Sequence, residues 1–150
     1  MPQQKQSTPP QGADPQPKPP RKVLPALARI LLGLAFTVFG LNGFIHFLPQ
    51  PKTMPEGTAA LFGAFLKSGY LFPLIFGTQL LVGVLLLLNR FVPLALALIA
   101  PVIANIIAFH VALNPSGIGP GVVVLVLELY LAWAYRSSFG PMLAFRARPG

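Results

Sequence analysis

One carboxylate, Glu128, stands inside GVVVLVLELYLAWAYR, a run from Gly121 to Arg136 otherwise apolar enough to cross a bilayer. The chain has only three acidic residues, so this placement needs a physical reason. A charged side chain at the centre of a membrane helix costs about 2.5 to 3.5 kcal/mol, so the carboxyl must face other helices and be paired or neutral. Arg29 lies at a similar depth by helical rise and is the expected partner. Gln79 comes at comparable depth on another apolar run, and Tyr130 adds a phenol nearby. Arg29, Glu128, Gln79 and Tyr130 therefore form a candidate intramembrane polar site suited to hydrogen bonding, proton handling or helix registry.

A second set falls near the opposite end of the apolar runs. Asn42 and His46 are four residues apart and share a helical face, as do His110 and Asn114, while Asn105 points elsewhere. Asn42, His46, Asn105, His110 and Asn114 make a candidate outer polar layer. Two histidines on two helices raise the question of an axial pair for haem b, but no second signal supports one. No metal site is expected, because Glu56 is the only carboxylate near that depth.

These residues are positioned by a chain of 150 residues with 54% hydrophobic and 9% charged side chains and a mean hydropathy of +0.68. A soluble core of this size could not hide so much apolar surface. The expected class is an all-α integral membrane protein. Four runs reach spanning length: about residues 24–48, 70–88, 91–113 and 118–135. Asn89 and Arg90 separate the second and third, and NPSG the third and fourth, so both pairs should be antiparallel hairpins. Between the first two lies TAALFGAFLKSG, too short to cross and expected to form an interfacial or re-entrant helix. Pro101 falls mid-span and should free the Ala97 carbonyl. Gly33, Thr37 and Gly40, Gly83, and Gly121 with Ala132 offer small-residue packing faces.

Residues 1–22 carry seven prolines and read as a disordered tail, and residues 144–150 as a short basic one, flanking a membrane domain at 23–143. Of 11 Lys and Arg residues only Lys52 and Lys67 fall on one side of this topology, which places both termini in the cytoplasm and the chain in the cell inner membrane. The net charge of +8 is explained by this bias, and no interleaving of basic and aromatic residues points to nucleic acid. Cysteine is absent, which excludes disulfides, thiolate metal sites and thiol relay chemistry.

LARILLGLAFTVFGLNGFIHFLP, the connecting KSGYLFPLI, then TQLLVGVLLLLNRFVPLALALIAPVIANIIAFH and LELYLAWAYRSSFGPML together resemble the DoxX-like family of small four-helix membrane proteins, over about residues 23–143. The resemblance implies a four-transmembrane-helix bundle and an accessory or quinone-interacting role beside membrane redox subunits, not an enzyme acting alone. A quinone site needs an apolar cleft with one or two hydrogen-bonding groups, for which Arg29, Glu128, Tyr130, His46 and His110 are suitable types. The residues themselves leave two other functions open: a small carrier of solute or protons, built as a homo-oligomer, and a structural or assembly protein whose polar groups only fix packing.

Overall fold

A computed structural model of the chain describes residues 23–49, 53–140 and 142. The expectations for the two tails lie outside these residues. The elements are α1 (Val23–Ile45), α2 (Glu56–Ser68), α3 (Leu71–Leu87), α4 (Val92–Leu113), a 3-10 turn (Pro115–Gly117), α5 (Ile118–Ala134) and the short α6 (Arg136–Phe139). No strand occurs among the described residues.

Local chemistry sets the helix ends. The first apolar run stops at Ile45, three residues short of the expected Leu48, because the Asn42 side chain accepts the Leu48 amide at 2.7 Å and His46 turns left-handed at φ 48°. α2 begins after Pro55 with Glu56 in its first turn, where a carboxylate complements the helix dipole. It ends on Gly69 at φ 73°, a left-handed cap that a residue with a Cβ adopts only at a cost. Between α3 and α4 the chain reverses within a few residues by placing both Asn89 and Phe91 in the left-handed region.

α1, α3, α4 and α5 pack around one core. α1 lies most extensively on α3 and also on α5, while α4 lies on α3 and α5, so α1 and α4 stand across a diagonal. Leu32 and Phe36 of α1, Val82 and Leu86 of α3, Leu96, Ile99 and Ile103 of α4, and Leu131 of α5 are fully buried at its centre. The outward faces are also apolar: Leu31, Leu74, Val111, Val126 and Trp133 are exposed. A helix apolar all round belongs in lipid. α1, α4 and the stretch Pro115–Ala134 are each long and apolar enough to cross a membrane, whereas α3 passes the same test only together with α2, from which it is bent by 92°.

Contacts fix the directions. As α1 advances through Gly33, Gly40 and Gly43, its neighbours on α3 step back from Gly83 through Leu80 to Phe76, so the two helices are antiparallel. Phe62 of α2 packs on both Phe72, near the start of α3, and Phe109, near the end of α4, so these helices are antiparallel too. Gly121 at the start of α5 meets Ile106 and Ile107 near the end of α4.

The α1–α3 seam brings backbone against backbone. A Cβ on Gly83 would lie 2.5 Å from the Thr37 amide nitrogen, and one on Gly40 would lie 2.6 Å from that of Leu80. Neither neighbour can rotate away, so Gly83→Ala should cost about 1 to 3 kcal/mol through overpacking. Gly77 has nothing within 4 Å of the same position, and Gly77→Ala should leave stability unchanged. Thermal unfolding of the two variants in detergent checks this contrast.

Candidate intramembrane polar site

Arg29 is nine per cent exposed near the start of α1, and its guanidinium donates to the carbonyls of Leu86 and Leu87 in the last turn of α3. The last carbonyls of a helix carry the negative end of the dipole, and the Leu86 oxygen, which already accepts the Asn89 amide at 3.1 Å, has a second lone pair to offer. A cation seated there gains both interactions, which explains how an arginine is buried among apolar side chains.

Glu128 sits on the buried face of α5 with Gly121, Val124 and Leu131, and is five per cent exposed. Its Oε2 is buried without a hydrogen-bond partner, and no ion pair joins it to Arg29 among the described residues. The expected pair is therefore not formed. The reason is depth: Arg29 is seated at the Leu86 and Leu87 carbonyls near the end of α3, whereas Glu128 lies deeper in the bundle, nearer the level of Gln79.

Gln79 is buried on α3 at six per cent exposure and forms no hydrogen bond with any described residue. It lies seven residues from Leu86, roughly 10 Å along α3 from where Arg29 is seated. Gln79 and Arg29 thus occupy different levels of the bundle, not the single layer expected. The contacts of Gly121 with Ile106 and Ile107, and the sharing of Phe62 by Phe72 and Phe109, set the relative heights of α3, α4 and α5. Stepping along each helix from those points brings Glu128 opposite Ile99 to Pro101 of α4, and that level in turn to within about one turn of Gln79. The buried carboxyl and the buried amide therefore share a level, but on α5 and α3, the other diagonal pair, with apolar side chains between them and no contact joining them. Tyr130 is half-buried, about 200° round α5 from Glu128, with its ring 6.4 Å from that of Trp133. It does not join them.

The outer layer divides into local roles. Asn42 ends α1 through the Leu48 amide, and His46 is exposed just beyond it. His110 is half-buried, with Nδ1 at 2.8 Å from the Ile106 carbonyl of its own helix. Asn114 accepts the Ser116 hydroxyl at 3.0 Å. Asn105 is exposed and donates to the Pro101 carbonyl at 2.9 Å, within α4. His46 follows the end of α1 and His110 lies on α4, which stand across the diagonal, and no hydrogen bond or ring contact joins the two side chains. No group of three metal-ligating side chains occurs among the described residues.

Two features at the rims carried no strong sequence signal. Phe62, Phe65, Phe72, Phe76 and Phe109 form a run of stacked and edge-on rings that holds α2 across the ends of α3 and α4. At the opposite rim Arg136 lies 4.8 Å from the Trp133 ring centroid and donates to the Trp133 carbonyl at 3.0 Å. Aromatic residues scattered over separate helices look like ordinary core until the fold stacks them.

Because Arg29 and Glu128 act on different partners, their removal should be additive. Arg29→Leu should cost about 1.5 to 3 kcal/mol, the range for hydrogen bonds to a charged group. Glu128→Gln should change stability little, and a double-mutant cycle should give a coupling below about 0.5 kcal/mol. Unfolding of the two single variants and the double variant in detergent checks all three values. No family model, no curated protein and no solved structure matches the chain, and the site therefore stands on its own geometry.

Proposed function

We infer that the protein is an accessory, quinone-interacting component of a membrane redox system, a four-span bundle of the DoxX-like kind. The resemblance over residues 23–143 supports the family, and the bent α2–α3 pair, which reaches spanning length and hydropathy as a unit, supports a fourth crossing with α2 lying at the interface. The excess of Lys and Arg at one side supports seating in the cell inner membrane with both termini in the cytoplasm.

The observation that carries the reading is the unpartnered Glu128 Oε2 in an apolar interior. A buried polar atom without a partner is costly, which favours a ligand that completes it. A quinone headgroup suits the residue types: it is a flat apolar ring with oxygens at opposite edges, and the Glu128 carboxyl and the Gln79 amide, on diagonal helices at one level, offer hydrogen-bonding groups, provided the packed side chains between them part to admit it. When bound, a quinone supplies reversible two-electron, two-proton chemistry. The chain's part is to orient the headgroup, exclude water with Ile99, Ile103 and Leu131, and hold or release a proton at the Glu128 carboxyl. Electrons come from a partner subunit, because the chain has no cysteine to carry them.

The test is purification from the native membrane in mild detergent with mass spectrometry of bound quinones. The native chain should retain quinone in stoichiometric amount, and Glu128→Gln should lower that amount about tenfold or more, as expected for loss of a hydrogen bond to an ionisable acceptor. Tyr130→Phe should not lower it. Equal retention by the native chain and Glu128→Gln removes the site assignment, and bulk lipid alone removes the quinone reading.

A further inference from the structure

One face of α4 has polar requirements that the monomer leaves unmet. Asn105 is exposed near the middle of the helix, and one of its amide protons is used by the Pro101 carbonyl. The second N–H and Oδ1 have no partner among the described residues. One turn earlier, Pro101 has no amide proton to give the Ala97 carbonyl, and Ala97 is exposed on the same side. One donor and one acceptor of the Asn105 carboxamide therefore face hydrocarbon, which can satisfy neither, and the Ala97 carbonyl has lost its usual helical donor. The hydroxyls of Thr37 and Thr78 pose no such problem, since each bonds a carbonyl of its own helix at 2.8 Å.

The surroundings permit a close approach. Ala97, Pro101, Ala104, Asn105 and Ala108 are all exposed and project within about 100° of arc on α4, away from the core side that carries Leu96, Ile99 and Ile103. Small side chains let a second backbone come near enough for an amide to reach across. The face is uncharged, so a partner that brought a charged side chain would bury it unpaired. A carboxamide offers a donor and an acceptor together, so two copies related by a two-fold axis supply each other with what each lacks.

We propose that the protein self-associates through this face of α4, with Asn105 of one copy hydrogen-bonded across the interface to Asn105 or the Ala97 carbonyl of a second copy. The proposal does not depend on the quinone reading. It uses neither Glu128 nor Gln79, and it would stand if no quinone were bound.

The absence of native cysteine makes the test direct. Ala104→Cys and Ala108→Cys place a thiol on this face, and Val123→Cys places one on an exposed face of α5 as a control. Oxidation of the full-length variants in native membranes should give a disulfide-linked product of twice the monomer mass for the two α4 positions and little for the control. Adding Asn105→Leu should lower that product about fivefold or more, the scale of a single hydrogen bond between membrane helices. Three results would overturn the proposal: no dimer at either α4 position, equal yield from the α5 control, or a crosslink to a protein of another mass. A dimer that persists undiminished in Asn105→Leu would overturn the role given to the amide.

Discussion

The seam between α1 and α3 leaves no room for a Cβ at its glycines. One on Gly40 would meet the backbone of Leu80, one on Gly83 the backbone of Thr37, and one on Gly43 the ring of Phe76. Without a hydrophobic drive to join helices in lipid, such approach is what dispersion and short-range packing can exploit. The rest of the arrangement follows from it. Drawing α1 onto α3 brings Arg29 to the end of α3, leaves α5 to cover the other side of α1, and places α4 on the diagonal.

Arg29 and Glu128 show how differently two buried ionisable groups can be accommodated. The arginine is long, carries five donors, and can reach a helix end where backbone acceptors are already in surplus. The glutamate is short and faces an apolar interior with one oxygen bare. The first solution is complete within the chain and reads as structural. The second is incomplete, and incompleteness at a buried polar atom is the stronger reason to look for something bound there.

Much of the fold was legible because lipid imposes simple rules. Apolar runs of spanning length and the short polar breaks between them placed α3, α4 and α5 to within a residue or so of their observed ends. The class of fold followed from the same runs. The site was less legible. Counting residues from the helix ends put Arg29, Gln79 and Glu128 in one layer, but such a count says nothing about how far one helix is shifted along another. Arg29 found acceptors that have no signature in the sequence, since Leu86 and Leu87 are unremarkable as residue types. The aromatic run of Phe62, Phe65, Phe72, Phe76 and Phe109 was hidden for a similar reason: its members come from three helices, and their stacking depends on the 92° bend between α2 and α3.

The seat of Arg29 also constrains the order of events during synthesis. The carbonyls it caps lie 57 and 58 residues further along the chain, so they do not exist in helical form when α1 first leaves the ribosome. Until α3 has been made and inserted, α1 presents an uncompensated cation within its apolar length. The nascent chain must therefore hold its first helix at the edge of the insertion machinery, or let the arginine reach back to the aqueous boundary, until its antiparallel partner arrives. The glycine faces of α1 and α3 can zip together only after both helices are present.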